Sequence, residues 1–501
     1  MPRSEDKRMT DHTLDHAPTI AAPVPLPLVV GCVVYALMLA LGAELMRAPE
    51  TYWHLRIGQW IIAHLTVPHG DMFSHTFLGQ PWIAKEWLSQ VLYAAAYAVG
   101  GWNGVVALAC AATGAALALL ARTLCERLDS VAVLVLVSAA LVLAAPHLVA
   151  RPQVLALPVM VAWVAGLIQA NDRAQAPSLA LLPLMTLWAN LHGGFTLGLA
   201  LIAPIGAEAV WNSAGPLRRS VGLAWLRFAA LALLSACVTP YGAESILATY
   251  RIFSPGAALS AVGGWRAQDF SQLGPFELTL LAGMASAFHL GMRLPPMRII
   301  LLLGLAHMAL SHVRNGELLG LIGPVLIATP LARQFATMPA AARLRPLDWR
   351  AMGLVAALFV VTLTVGKVRP VAPAPQISPA AAVDRLKEIE GPVFNGYDLG
   401  GYLIFAGVPT FIDGRTELYG EAFTMHYLRA VTLRDIGELL HLLERYKIAA
   451  TLLTPHTPAV QFLDRSPDWE RVYGDDTAVV HRRRTALPSA SDLRGSLSGP
   501  Q

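Results

Sequence analysis

The feature that most constrains this chain is a succession of about eleven apolar runs, each near the length that crosses roughly 30 Å of hydrocarbon at about 1.5 Å per helical residue. They fall at 25–46, 102–122, 130–147, 153–170, 177–191, 195–212, 226–240, 276–292, 298–312, 317–332 and 351–367. Within hydrocarbon a helix satisfies its own backbone groups, so these runs predict an all-α polytopic membrane bundle over 25–368. Composition agrees. With 55% hydrophobic and 14% charged residues, the chain has too little charge to cover an ordinary soluble surface and too much apolar content for a disordered or collagen-like one.

Residues 1–24 are polar, and the run that follows is longer than a signal-peptide core and lacks a cleavage site, so it reads as an uncleaved first span behind a cytoplasmic tail. Placing the N-terminus inside puts Arg3, Lys7, Arg8, Arg122, Arg127, Arg173, Arg218, Arg219, Arg227, Arg293, Arg298, Arg333, Arg343, Arg345 and Arg350 in the cytoplasm. The opposite short loops hold fewer, chiefly Arg47, Arg56, Lys85, Arg151, Arg251, Arg266 and Arg314. This is the positive-inside bias of a multi-pass membrane protein. An odd number of spans then sends the rest of the chain to the outer face.

That remainder opens with a Pro/Ala linker, 369–384, and continues with an ordinary charged composition over 385–484. Strand-like runs (GPVFNG, PTFIDG, AATLLTP, TAVVHR) alternate with helical patterns such as 421–446, which predicts a small C-terminal α/β soluble domain. Residues 485–501, rich in Ser, Gly and Pro, read as disordered. The net charge of +4 comes with no Lys/Arg block, so no nucleic-acid partner is expected. Cys32, Cys110, Cys125 and Cys237 lie in or beside apolar runs without metal-ligand spacing.

The outer loop 47–101 holds the densest chemistry. In ETYWHLRIGQWIIAHL, Trp53, Ile57, Trp60, Ile61 and His64 recur at helical spacing, the pattern of a helix lying in the interface. VPHGDMFSHTFLGQPWIAKEW follows, and then a second helical run, 86–99, ended by Gly100 and Gly101. Glu50 lies just past the first span. A carboxylate at the lip of a membrane cavity suits a general base, because a lowered dielectric raises its pKa. The competing reading is a charge that complements the start of the next helix. Asp71, His69, His75 and Glu86 come later in the loop. Together with His54, the first three are the candidate ligands for a divalent metal, although no motif spacing supports one.

Further polar residues fall at outer span ends: Arg151-Pro152-Gln153, Asn190 and His192 beside Gly193-Gly194, Tyr241, Asp269, and His312, Arg314 and Asn315. Ionisable groups at membrane depth are costly and mark function by default. Two arginines at one cavity mouth suit a phosphate or pyrophosphate, held in bidentate fashion. Arginines that snorkel singly to the interface are the alternative.

These residues form a recognisable pattern. PETYWHLRIGQWI, VPHGDMFSHTFLGQPWIAKEW, ARPQVL, LWANLHGGFTLG, VTPYG and the tail's VFNGYDLGGYLIF and FIDGRTELYG resemble a group of bacterial inner-membrane proteins of the GT-C glycosyltransferase type. That group is distantly related to the protein O-mannosyltransferases and the aminoarabinose transferase of lipid A. The resemblance runs from about 25 to 480. It implies a GT-C-like bundle, a donor sugar on a polyprenyl phosphate, and a lipid, glycan or protein acceptor met on the periplasmic face. It also implies an acidic catalytic residue after span one, which falls on Glu50 where Asp is more usual, and a second acidic position at Asp71. Asp413-Gly414-Arg415 matches a group motif without an assigned role; it reads either as a binding loop closing on the cavity or as a turn fixed by its own ion pair.

On this reading Glu50 is the base of an inverting transfer. His54, Arg151, His192, Arg314, Asp413 and Arg415 bind substrate, and a metal near Asp71 is a candidate cofactor. A transporter or flippase is the main rival. No internal repeat is visible, however, and ionisable groups within spans are few, chiefly Glu208, His289 and His307. A non-catalytic scaffold for envelope polysaccharide is the third reading. The distinction turns on whether Glu50, Asp71, Arg151, His192 and Arg314 gather in one cavity.

Overall fold

The apolar runs become helices in the computed structural model, which describes residues 24–252, 266–336, 339 and 349–484. The N-terminal tail, the segment expected to be disordered after 484, and Arg3, Lys7, Arg8, Arg343 and Arg345 lie outside the described residues. Helix α1 (Leu26–Ala40) is followed by a short helical turn, Gly42–Leu45, and by α2 (Glu50–His64). Then come α3 (Trp87–Cys125), α4 (Ser130–Ala144), α5 (Pro152–Asp172), α6 (Leu182–Leu191), α7 (Phe195–Ala200), α8 (Ile202–Asn212), α9 (Arg218–Ala236) and α10 (Glu244–Ile252). The bundle ends with α11 (Pro275–His289), α12 (Pro296–Ser311), α13 (Gly316–Phe335) and α14 (Trp349–Val368).

Among the described residues, 7 helices are long and apolar enough to cross a membrane, and three shorter apolar ones accompany them. The chain is a multi-pass membrane protein. Helix α3 is two helices in one: Gly100 and Gly101 leave helical geometry, Gly101 at φ 57. The segment before the break is therefore free to take a direction of its own. Helices α1 and α3 cross backbone to backbone, since a Cβ on Gly31 would lie 3.1 Å from Gly114 O and one on Gly114 2.8 Å from Gly31 O. Small residues permit such approach where no hydrophobic force draws helices together. Val355, Phe359 and Val360 on α14 stay exposed, as lipid-facing side chains do.

Glu208 and Arg298, which the sequence places in or beside spans, meet. Arg298 donates to Glu208 Oε1 (3.0 Å), Asp172 Oδ1 (2.5 Å) and Leu326 O (2.8 Å). It thereby ties α12 to α8, α5 and α13 at the end of the bundle away from the tail domain. With all of its neighbours satisfied, this cluster is structural.

The tail is an α/β unit: α15 (Ala380–Leu386), β1 (Val393–Asn395), α16 (Gly400–Phe405), α17 (Thr416–Val431), α18 (Ile436–Arg445), β2 (Ala450–Leu453), α19 (Pro458–Arg465), β3 (Trp469–Gly474) and β4 (Val479–Arg483). The sheet order is β1-β2-β4-β3, with β1 and β2 parallel and the other pairs antiparallel. Two expectations change. The helical pattern 421–446 divides at Leu433, whose φ is 54, and Asp435 caps the second helix by accepting from Glu438 N. The PTFI run does not join the sheet. Thr410 N donates to Phe73 O (3.0 Å) and His75 N to Thr410 O (2.9 Å), so this run pairs with the outer loop instead.

The linker is docked as well. Val371 N donates to Asn103 Oδ1 (2.9 Å), Ala374 N to Met46 O (3.1 Å), and Tyr52 and Ser378 share a hydroxyl bond of 2.7 Å. Behind these contacts sits the firmest tie between loop and tail. Arg415 donates from Nη1 to Asp71 Oδ1 (2.6 Å), and from Nη2 and Nε to Asp413 (2.7 and 2.8 Å), while Tyr419 donates to Asp413 Oδ2 (2.6 Å). Both ion pairs have 0% side-chain exposure. Burial alone would raise the Asp413 pKa, yet the Arg415 guanidinium holds it below the usual carboxylate range. Removing one member of such a pair strands the others in a dry interface. Arg415→Met is therefore expected to cost about 3–5 kcal/mol and to expose the tail to protease. Thermal unfolding and limited proteolysis of the purified protein check this; a melting temperature unchanged from wild type would contradict it.

Candidate functional site

One cavity of about 260 Å³ opens where the bundle meets the tail. Helix ends supply its polar lining. Glu50 begins α2. Arg151 precedes Pro152, so its backbone is extended (φ −129, ψ 161) before α5 starts, as the residue ahead of a proline must be. His192 is extended between α6 and α7 (φ −162, ψ 142). Arg314 lies in a 3₁₀ turn, Val313–Asn315, between α12 and α13. From the tail, Tyr397, Gly414, Thr416 and Glu417 complete the wall. A Cβ on Gly414 would lie 3.0 Å from Trp53 Nε1 and 3.3 Å from Glu50 Cγ, so tail backbone rests directly against the candidate base.

The charges come in pairs. Arg151 Nη1 is 3.3 Å from Glu50 Oε1. Tyr93 donates to Arg151 O (3.1 Å), and with the Gln153 amide oxygen turned toward it Arg151 also donates there, at 2.9 Å from Nη2. Lys85 Nζ is 2.7 Å from Glu417 Oε1. Glu86 sits between two imidazoles, 3.7 Å from His54 Nε2 and 3.5 Å from His192 Nε2. Gly194 N donates to His192 Nδ1 (3.1 Å), which fixes the tautomer with Nε2–H toward Glu86.

Burial and the neighbouring cations set the proton equilibria. Desolvation, with Arg314, Lys85 and Arg151 nearby, lowers His192 to about 3, and His54 is likewise held well below its ordinary value. Both imidazoles are neutral at pH 7. Desolvation raises Glu86. Lys85, which burial alone would lower, is raised by the Glu417 and Glu86 carboxylates, and Glu417 is lowered in return despite its burial.

Of the residues singled out in the sequence, Glu50, His54, Arg151, His192 and Arg314 line this cavity. Asp71, Asp413 and Arg415 do not; they form the buried clamp behind it. His69 packs edge-on to Tyr241 (5.3 Å) and His75 Nε2 lies 3.0 Å from Val393 O. The Asp71 oxygens are taken by Arg415, Ser74 and the backbone of 73–74. His69, Asp71 and His75 therefore do not fit a metal. Among the described residues no three His, Cys, Asp or Glu side chains are placed to hold one. Asn190 is a structural tie, accepting from Trp87 Nε1 (2.7 Å) and donating to Thr186 O and Val238 O.

Sequence reading did not assign Lys85, Glu86, Glu317 or Glu417 to the cavity. The adjacent charges of KEW, set directly before an apolar helix, were a usable signal for the first two. Glu317 resembles an ordinary acid in the first turn of a helix, and Glu417 lies 332 positions from its partner.

No family model and no curated protein matches the sequence. Solved structures do. The oligosaccharyltransferase of Archaeoglobus fulgidus in its apo form aligns with TM-score 0.53 at 11% identity, over 85% of this chain and 69% of that one. The same enzyme in complex with an inhibitory peptide and a dolichol-phosphate aligns with TM-score 0.53 at 12% identity and the same coverage. ArnT from Cupriavidus metallidurans bound to undecaprenyl phosphate aligns over 95% of this chain and 99% of that one, with TM-score 0.49 at 14% identity. At the level of fold the chain is thus a distant likeness of the archaeal oligosaccharyltransferase.

Proposed function

We propose that this protein is a membrane glycosyltransferase that moves a sugar from a polyprenyl-phosphate donor to a hydroxyl or amine of a lipid, glycan or protein acceptor. The observation that carries the reading is one cavity holding the Glu50 carboxylate together with the cations Lys85, Arg151 and Arg314. A base and an anion-binding wall in one place are what transfer from a phosphate-linked donor requires. The fold shared with the archaeal enzyme, itself solved with dolichol-phosphate, supports it. A scaffold has no need to concentrate these groups at one point.

In this mechanism Glu50 removes the proton of the acceptor. The acceptor oxygen or nitrogen forms a bond to the anomeric carbon while the bond from that carbon to the phosphate oxygen breaks. The phosphate leaves with the electron pair, the proton remains on Glu50, and the anomeric configuration inverts. Lys85, Arg151 and Arg314 stabilise the charge that develops on the leaving phosphate. Neutral His54 and His192 position the substrate and Glu86 without adding charge. With about eleven crossings, the N-terminus is cytoplasmic and the cavity and tail domain are periplasmic. The arginine distribution and the presence of tail and cavity at the same end of the bundle support that orientation.

Glu50→Gln is expected to lower transfer by about 10²–10⁴-fold, while Glu50→Asp retains part of it. Glycolipid and glycan profiles of a deletion strain complemented with each variant check this, and undiminished product from the Gln variant would remove Glu50 as the base.

The pH dependence of the rate is not expected to come from the imidazole beside Glu86. Since His192 stays neutral down to about pH 3, His192→Asn lowers the rate without moving the pH profile. A profile displaced in that variant, measured as rate against pH in membranes, would assign the titration to the imidazole.

A further inference from the structure

Lys85 and Glu417 form an ion pair of 2.7 Å in the cavity, and both side chains are largely buried. They come from opposite parts of the molecule, the lysine from just ahead of α3 and the glutamate from the first turn of α17. The pair is not needed to hold the tail in place. The Arg415 clamp, the pairing of Thr410 with the outer loop, and the packing of α16 on α2 through Tyr52, Tyr402 and Phe405 do that.

Glu417 is delivered to the cavity by a rigid turn. Asp413 is fixed by Arg415 and Tyr419, Thr416 Oγ1 is bonded to Tyr397 Oη at 2.8 Å, and helical geometry breaks at Gly420 (φ 71). The residues from 416 to 419 therefore form a separate turn, anchored from behind and set against Lys85.

A desolvated ammonium requires an anion, and the phosphodiester of a polyprenyl-phosphate-linked sugar offers the same single charge as the carboxylate on two non-bridging oxygens, a charge that grows on the monoester left after transfer. We propose that Glu417 is a stand-in anion supplied by the tail domain, which occupies Lys85 until the phosphate of the donor displaces it. This rests on the polyprenyl-phosphate reading above. The tail thus sets the threshold for donor binding. Glu50 stands in the same relation to Arg151, so a phosphate that takes both cations also frees Glu50 from its ion pair, and the base becomes available only with the donor in place.

The test is binding of farnesyl phosphate, which has the headgroup of the lipid phosphate that transfer leaves behind, and of inorganic phosphate in a second arm, to the full-length protein in nanodiscs, read by the fluorescence of the cavity residues Trp53 and Trp188. Glu417→Gln is expected to bind about tenfold more tightly than wild type, and Lys85→Met about tenfold more weakly. In the double variant the gain from Glu417→Gln disappears. The ratio of Glu417→Gln to wild type is the same for both ligands, because the exchange acts on the headgroup. Glu417→Asp, one methylene short of Lys85, gives an intermediate gain and decides the matter if the Gln variant does not fold. Unchanged or weaker binding by a folded Glu417 variant, or a gain confined to the lipid, overturns the proposal while leaving the donor reading intact. Absence of phosphate binding by every form, wild type included, overturns the donor reading and this proposal with it.

Discussion

Arg415 is the group on which the arrangement of this molecule depends. Its guanidinium lies between Asp71 of the outer loop and Asp413 of the tail, stacked near Phe73 and Trp82 with no solvent contact. A charge in that position is tolerable only when every donor is met, and here the planar fork spans two carboxylates that are 342 positions apart in sequence. Loop and tail are thereby made into one wall. Everything the cavity receives from the tail, including Gly414 against Trp53 and the turn that carries Glu417, follows from that junction.

The cavity itself uses charge differently. Each of the pairs Glu50–Arg151 and Lys85–Glu417 has an exposed side toward the lumen, so its members can change partners where those of the clamp cannot. Glu86 is a third case. It is held by two imidazoles that remain neutral, which orient it and leave its charge uncompensated by them. One small volume thus contains exchangeable ion pairs backed by a pair of aspartates that are permanently engaged. That division separates holding the structure from binding the substrate.

Much of this was legible from residues alone, for definite reasons. Apolar runs have to become helices in hydrocarbon, and polar residues at the ends of such runs have few places to go except a shared mouth. Glu50, His54, Arg151, His192 and Arg314 were found in that way. The turn at 413–415 fixed by its own Asp413–Arg415 ion pair was anticipated and is present; that Arg415 also closes on Asp71, 344 positions away, is what no local pattern records. PTFI has the composition of a strand, but it pairs only at Thr410, and its partner is the outer loop, which a reading of the tail in isolation would not consider. Strand β3 escaped notice because WERVYG is mostly exposed beyond Trp469 and so lacks the alternation that marks a half-buried strand. Glu417 looked like any acid in a first helical turn.

The separation between Asp71 and Arg415 also bears on how the protein is made. At synthesis rates of about 5–20 residues per second, the 344 positions between them correspond to roughly 20–70 s. For that interval Asp71 has no guanidinium, the backbone groups of Phe73 and His75 lack their Thr410 partners, and the outer loop is a surface awaiting its other half. Nascent chains therefore pass through a long-lived stage in which the bundle is inserted and its loop is unfinished. A chain that stops before the tail is complete retains that unfinished loop, with buried-type acids and aromatics open to the surroundings, which is a feature a membrane protease can recognise.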